Sequence, residues 1–251
     1  MRVFIGMETS GALRRRFLHL GHDVFSCDML PAEDGGVGHI VGDVFEALDD
    51  LRAIGWWPEL AIFHPTCTYL TNAAAWAFAD PDFERYPGVG YHQRVQPGTL
   101  TGADRRRARD AALNDVRKIM ALPIRRKVIE NPKGAIGTFI MKPTQVVQPY
   151  DFGDDASKAT CFWMLDKDGN QDASMRLPVD PAKRVQGRMV ERAKAMGKFN
   201  TSMNRQGADF IERWANQTDT GQNRLPPGDD RWKERSRTYP GIADAIAAHL
   251  G

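Results

Sequence analysis

Residues 59–67 read ELAIFHPTC, an apolar run that stops at a proline and is followed two residues later by a cysteine. A short apolar run bounded by polar and turn-forming residues predicts a buried strand. Cys67 would then stand just beyond the carboxyl end of that strand, where open α/β sheets bind their ligands. Two interpretations fit this position: a small buried thiol at a strand end, or a nucleophile presented above the sheet.

Short extended and helical segments alternate on both sides of this run. The strand candidates are RVFIG (2–6), DVFSCD (23–28), HIVGDVFE (39–46, its extended part ending at Asp43) and RKVIENP (126–132), with TFIMK (138–142) and CFWML (161–165) as weaker ones. The helix candidates are the segment after Ser10, residues 103–122, MVERAKAM (189–196), GADFIERWA (207–215) and GIADAIAAHLG (241–251). Such alternation predicts an α/β fold with a mostly parallel sheet.

Composition narrows the class of protein. The chain has 251 residues, of which 42% are hydrophobic and 26% charged, so one domain with an insertion can bury its own core. A net charge of +2 gives no global preference for nucleic acid. The three cysteines and six histidines are widely spaced, and we expect neither a disulfide framework nor a metal site.

The sequence shows no sign of a membrane or secreted protein. No stretch reaches the length of about 18 apolar residues that a membrane span needs, and the N-terminus lacks a signal-peptide pattern. We therefore expect a cytoplasmic protein with no membrane partner.

The first three strand ends carry residues that suit an adenosine-type cofactor. The turn from Gly6 to Gly11 could bring backbone close to a ligand at a helix N-terminus. An acid in the position of Asp28 binds ribose hydroxyls in many nucleotide-binding sheets, or else it caps a helix. Asp43 could accept a hydrogen bond from an adenine amino group, or it could be an ordinary turn residue. The three positions together favour a cofactor site.

Glu130 ends a later strand candidate, in the sequence Glu130-Asn131-Pro132. It could cap a loop, or it could work beside a thiolate as a hydrogen-bonding carboxyl. The carboxyl ends of parallel strands meet at one edge of a sheet, so we expect Glu130 and Cys67 to face the same crevice. That joint position favours the catalytic interpretation of both residues.

Taken in order, the motifs of this chain resemble those of the DNA cytosine-5 methyltransferases, and most closely the short members that bacteriophages and prophages carry. The counterpart of the family's cofactor loop is FIGMETSG (4–11), that of its Pro-Cys nucleophile motif is HPTC (64–67), and that of its Glu-Asn motif is Glu130-Asn131. The counterpart of its catalytic arginines is RSRT (235–238), and that of its closing helix is YPGIADAIAAHLG (239–251).

The resemblance implies a Rossmann-like fold of the kind that uses S-adenosylmethionine, in the cytoplasm of a bacterial host. It divides the chain into a catalytic core at 1–169, a variable target-recognition insert at 170–223 and a returning segment at 224–251. Between Arg176 and Arg213 there are nine Lys or Arg against four Asp or Glu. This local surplus suits phosphate contacts with DNA, or a solvated helical face.

The resemblance also assigns a role to each candidate residue. Cys67 would add covalently to C6 of cytosine, Glu130 would hydrogen-bond its N3 and N4 edge, and Arg235 or Arg237 would hold its O2 edge. The base must leave the duplex for this chemistry, and the Gly/Pro-rich residues 80–104 would close over it. S-adenosylmethionine would be bound by Gly6, Glu8, Ser10, Gly11, Asp28 and Asp43.

Two surface predictions concern the region between these motifs. In the loop 80–104, Tyr86, Tyr91 and His92 could contact a DNA strand or could pack within the loop. The three consecutive arginines at 105–107 are expected on a solvated helix face.

Departures from the family pattern leave other functions open. Thr66 and Thr68 replace the second proline and the glutamine that flank the family's cysteine, and Pro132 follows the Glu-Asn pair. These changes touch the pocket for the target base. They leave open a free pyrimidine nucleotide as the substrate, or an inactive DNA-binding or decoy protein. An amino methyltransferase would need an Asp or Asn before paired prolines, and HPTC has neither.

Overall fold

The computed structural model describes residues 1–191, 210–225 and 231–251, with only the backbone described for 231–233. The chain forms two compact units, each made of several segments. The first unit contains Met1–Gly11, His22–Val146 and Thr160–Arg176, and the second contains Ala12–Gly21, Val147–Ala159 and Leu177–Gly251. The domain bounds drawn from the sequence remain a prediction.

A seven-stranded, mostly parallel sheet is the main feature of the fold. Its order is β3-β2-β1-β4-β5-β7-β6. The strands β1 to β5 pair in parallel, and β7 runs antiparallel to β5. The strands are β1 Arg2–Gly6, β2 Asp23–Asp28, β3 His39–Val41, β4 Leu60–Phe63, β5 Arg126–Pro132, β6 Gln145–Val147 and β7 Thr160–Asp166.

Helices connect most of these strands, and a small ribbon lies in the second unit. The α-helices are α1 Ala12–His19, α2 Val44–Ala53, α3 Gly102–Ala121, α4 Ala135–Phe139, α5 Arg231–Ser236 and α6 Pro240–Leu250. Short 3₁₀ helices cover Asn72–Phe78, Pro149–Phe152, Ala173–Met175 and Pro181–Lys183. The antiparallel ribbon pairs β8 Arg188–Glu191 with β9 Phe210–Arg213. No helix in the described residues combines the length and apolar character needed to cross a membrane.

The strand order reverses between β1 and β4. The chain builds β2 and β3 on one side of β1, and then β4 and β5 on the other, which is the doubly wound arrangement. Gly6 and Phe63 lie opposite each other in register, and the N–H of His64 donates to the carbonyl of Gly6 at 3.0 Å. The segments after β1 and β4 therefore leave the sheet side by side, at the switch point where such folds bind ligands.

The central strands are apolar on both faces, which is typical of buried parallel strands. Leu60, Ala61, Ile62 and Phe63 of β4 are all fully buried. The buried stripes of α2 and α3 pack in the same core as β4. This burial explains why the sequence of the strand is a continuous apolar run rather than an alternating one.

Lys127 is a charged residue in the interior of β5, with a fully buried side chain. Its Nζ donates to the carbonyls of Met120 at 2.8 Å and Leu122 at 2.5 Å, at the carboxyl end of α3. These carbonyls have no partner within the helix, and an ammonium group also suits the negative end of the helix dipole. Burial lowers the pKa of Lys127.

The second unit is organised around α6, which packs on α1. Asp154 accepts a hydrogen bond from the N–H of Gly241 at 3.0 Å, near the start of α6. A Cβ at Gly241 would lie 2.1 Å from the carbonyl oxygen of Phe152, so only glycine permits this approach. The predicted C-terminal helix is therefore confirmed, and it begins at Pro240.

Several sequence predictions differ from the structure. The extended piece predicted to end at Asp43 ends at Val41 as β3, because Asp43 already serves as the cap of α2. The predicted strand at 138–142 is wrong, since α4 extends through Phe139. The helices predicted at 189–196 and 207–215 are wrong where described, since β8 and β9 occupy those positions, and residues 192–209 lie outside the described residues. Cross-strand pairing overrides helix propensity in such short segments.

Gly6 and Gly42 form a matched pair that tests the packing at the switch point. A Cβ on Gly6 would lie 2.7 Å from Cδ1 of Phe63 and 2.7 Å from Cγ2 of Val44. We expect Gly6→Ala to lower the free energy of unfolding by about 1–3 kcal/mol, the usual cost of overpacking. Gly42→Ala, whose Cβ would have nothing within 4 Å, should leave stability unchanged or raise it slightly. Urea unfolding measures both, and equal losses would contradict the packing described at Gly6.

Candidate active site

Cys67 is the first residue of a tight turn that follows β4. Its carbonyl accepts hydrogen bonds from the N–H groups of Leu70 at 3.1 Å and Thr71 at 3.0 Å. The side chain of Cys67 is half-buried, whereas Thr66 and Thr68 on either side are exposed. The strand therefore ends in a turn that brings a thiol to the carboxyl edge of the sheet.

The end of β5 and the segment after it hold this turn through three hydrogen bonds. The buried side chain of Asn131 donates from Nδ2 to the carbonyl of Pro65 at 2.7 Å. The N–H of Ala135 donates to the carbonyl of Leu70 at 2.7 Å, and the N–H of Asn72 donates to Lys133 at 3.3 Å. The segments that follow two neighbouring parallel strands are thus joined to each other as well as to the sheet.

Gly134 permits the closest approach of these two segments. A Cβ at this position would lie 1.8 Å from the carbonyl oxygen of Leu70. Gly134 also forms a bridge with Thr71. Its backbone is extended, so the requirement for glycine comes from the contact and not from backbone strain.

Arg105 supports the cysteine turn from α3. Its Nη2 donates to the carbonyl of Thr68 at 2.9 Å, and its guanidinium lies 4.9 Å from the centre of the Phe78 ring. The side chain is only 4% exposed. The prediction that residues 105–107 form a solvated face is therefore wrong for Arg105, although Arg107 is exposed. Sequence periodicity missed this role because the partner of Arg105 lies in a distant loop.

Glu130 lies near the end of β5 and is paired with a histidine that the sequence analysis did not assign. His64 Nδ1 lies 3.2 Å from Glu130 Oε2, with the two side chains only 9% and 11% exposed. Phe63 and Ile129, the residues just before them, are opposite each other in register. The parallel pairing of β4 and β5 thus brings His64 and Glu130 together. A polar residue directly after an apolar strand is the signal that could have identified His64.

The other two cysteines have the properties of structural thiols. Burial raises the pKa of Cys27 to about 11, and its Sγ contacts the carbonyl of Gly42 at 3.3 Å. Burial also raises the pKa of Cys161, which is 1% exposed within β7. Thiolates, rather than thiols, are nucleophiles. Cys67 is therefore the cysteine whose exposure suits a reaction.

The turn after β1 is tightly wound. Met7 and Gly11 both have positive φ, at 63° and 65°, and the N–H of Met7 donates to the carbonyl of Cys27 at 2.7 Å. Within the turn the hydroxyl of Ser10 donates to the carboxylate of Glu8. Gly6 has a second role, because its missing Cβ leaves space for core side chains. The predicted cofactor loop is thus a compact, hydrogen-bonded turn.

Asp28 and Asp43 both lie at strand ends, and each already bonds to backbone. Asp28 Oδ1 accepts from the N–H of Leu30 at 2.9 Å, and burial raises the pKa of the Asp28 carboxyl. Asp43 Oδ1 accepts from Phe45 at 2.8 Å and Glu46 at 3.2 Å, as the N-cap of α2. Asp43 is thus a helix cap rather than the ordinary turn residue considered from the sequence, and a cofactor role for either acid remains a prediction.

The loop 80–104 contains a cluster of aromatic rings. Tyr91 is 7% exposed, its hydroxyl donates to the carbonyl of Ala79 at 3.0 Å, and its ring meets Trp76 edge-on at 5.3 Å. Tyr91 is therefore a packing residue. His92 is exposed and lies 6.4 Å from the ring of Tyr86.

The arginine candidates and the basic insert belong to the second unit. Arg235 is exposed, and Arg237 pairs with Glu234 at 2.9 Å. Arg184 pairs with Asp151 and Glu212, both at 2.9 Å, and Arg188 pairs with Asp219 at 2.5 Å. Acidic neighbours thus offset part of the local surplus of positive charge in the described part of the insert.

Comparison with known proteins gives no assignment. No protein-family model matches the chain, and no curated protein is significantly similar to it.

Thiol labelling tests the exposure of Cys67. We expect a water-soluble disulfide reagent to modify one thiol per native molecule, because Cys27 and Cys161 are buried. The Cys67→Ser variant should lose this rapid modification, and guanidinium should expose all three thiols of the wild type. Absorbance of the released thiol measures the stoichiometry. Rapid labelling of native Cys67→Ser would show that another cysteine is accessible.

Asp28 should make stability depend on pH. Its pKa is raised in the folded state, so its favourable contribution is present below the unfolded value of about 3.9 and is lost as pH rises through the folded pKa. Asp28→Asn keeps an acceptor for Leu30 but carries no charge. We expect it to unfold at a higher temperature than wild type at pH 7, with the difference shrinking below pH 4. A constant difference at all pH values would contradict this assignment, and calorimetry measures it.

Proposed function

We propose that the chain is an S-adenosylmethionine-dependent methyltransferase that acts on C5 of cytosine in DNA. The observation that carries the proposal is the placement of a half-exposed Cys67 just after β4 while Glu130 lies near the end of the adjacent, parallel strand β5. Both lie at the carboxyl edge of the sheet, beside the switch point between β1 and β4. Buried hydrogen bonds hold the two strand ends in fixed register.

The residues around the first two strand ends fit the chemistry of the cofactor. S-adenosylmethionine carries an ammonium group, a sulfonium group and the donors of an adenosine, and carboxylates are suitable partners for all of them. Glu8 and Asp28 supply such carboxylates beside the turn that contains Gly11. Ser10 would help to hold the Glu8 carboxylate in place. When bound, the cofactor supplies an electrophilic methyl group.

The protein's own residues would activate the base. The Cys67 thiolate would form a bond to C6, which raises the electron density at C5. Glu130 would hydrogen-bond the N3 and N4 edge and favour a proton at N3. After transfer, loss of the C5 proton and release of the Cys67 sulfur would restore the aromatic ring. The fixed turn around Cys67 would keep the sulfur in position throughout the reaction. Correct positioning of the reacting groups supplies much of an enzyme's rate acceleration.

A free pyrimidine nucleotide is the second candidate substrate. The observation that favours it is the pairing of Arg184 and Arg188 with acids, because paired arginines are less available for DNA phosphates. A nucleotide would use Cys67 and Glu130 in the same way. It would not require a base to be taken out of a duplex.

A transfer assay separates these proposals. With methyl-labelled S-adenosylmethionine, we expect label at cytosine C5 of duplex or single-stranded DNA and a fall to background in Cys67→Ser. Thr66→Ser is the matched control, because Thr66 is exposed beside Cys67 and should tolerate the change. Label on dCMP alone would assign the chain to nucleotide modification. No label on any substrate would contradict the methyltransferase proposal and favour a binding or decoy role.

A further inference from the structure

The side chain of His64 is buried at the candidate active site, directly after β4. Its backbone is fixed by the hydrogen bond from its N–H to the carbonyl of Gly6 at 3.0 Å. The imidazole is 9% exposed, and its Nδ1 lies 3.2 Å from Glu130 Oε2. The ring is therefore held between the end of β4 and the carboxylate of β5.

The other ring nitrogen of His64 has no hydrogen-bond partner within the described part of the chain. Nε2 is buried, and among the described residues no group hydrogen-bonds to it. Leaving a buried polar atom unsatisfied lowers the free energy of unfolding. Within the described residues, the polar contact of the ring is thus with Glu130. The fold keeps this contact although the buried, unsatisfied Nε2 is destabilising. Such an exception in a native structure calls for a functional explanation.

His64 would act on the candidate reaction through Glu130. A carboxylate has two oxygens that accept hydrogen bonds, and His64 engages Oε2. Under the proposed function, the carboxylate would present its other oxygen, Oε1, to the pyrimidine. An acid that must meet the N3 and N4 edge of a pyrimidine needs a fixed rotamer, and a buried hydrogen bond supplies one.

We propose that His64 is a positioning residue that orients the Glu130 carboxylate towards the pyrimidine. This inference rests on the proposed function and deepens it, since it assigns a second residue to the base-binding site. The HPTC motif would then supply two residues: Cys67 for the covalent bond and His64 for the orientation of the acid. A purely structural histidine would matter only to stability.

Two substitutions separate the nitrogen that faces Glu130 from the one that does not. The amide nitrogen of His64→Asn falls near the position of Nδ1 and can keep the bond to Glu130. The amide nitrogen of His64→Gln falls near Nε2 and loses that bond. We expect His64→Gln to lower kcat for transfer to cytosine by up to about 100-fold, while His64→Asn retains most of the activity. The affinity for S-adenosylmethionine, measured by calorimetry, should stay within about twofold of the wild-type value in both variants.

Combination with Glu130→Gln completes the test. If His64 acts through Glu130, His64→Gln should reduce kcat little further in the Glu130→Gln background, because residues that act as a unit are not additive. Equal losses in the Asn and Gln variants, or independent losses in the double variant, would overturn the inference while wild-type transfer still supports the proposed function. Absence of transfer by the wild type would overturn both.

Discussion

The hydrogen bond from the Asn131 side chain to the carbonyl of Pro65 is the constraint on which the candidate site depends. It joins the segment that follows β4 to the end of β5, and it is a buried bond of 2.7 Å. Parallel pairing alone sets the strands side by side but leaves their continuations free to diverge. This bond, together with the contact of Gly134 against Leu70, holds the turn after β4 against the turn after β5. The relative position of the two turns is therefore set by contacts within the protein and needs no ligand.

Much of the fold could be predicted from local patterns. The bounds of β1, β2 and β5 match those read from apolar runs, and α3 differs from its predicted bounds by one residue at each end. The same reasoning was less accurate at β3, which ends at Val41 rather than at Asp43, because the Asp43 side chain caps α2. Arg105 and His64 were missed for a related reason. Their partners, Thr68 and Glu130, are distant in sequence and become neighbours only when the sheet forms.

The candidate site thus divides into a part visible in sequence and a part created by folding. Cys67 and Glu130 could be proposed because they follow recognisable strands. Their supporting residues could not, since a buried hydrogen bond leaves no periodic signal. Asn131 is the exception, because it adjoins Glu130 in the same motif.

Lys127 gives the fold an internal reporter of unfolding. Its amine is fully buried and bonded to the carboxyl end of α3, at the opposite end of β5 from Glu130. Reagents that acylate amines can reach it only when α3 and β5 separate. The rate at which Lys127 is acylated would therefore report how often the core opens, and the measurement needs no engineered probe.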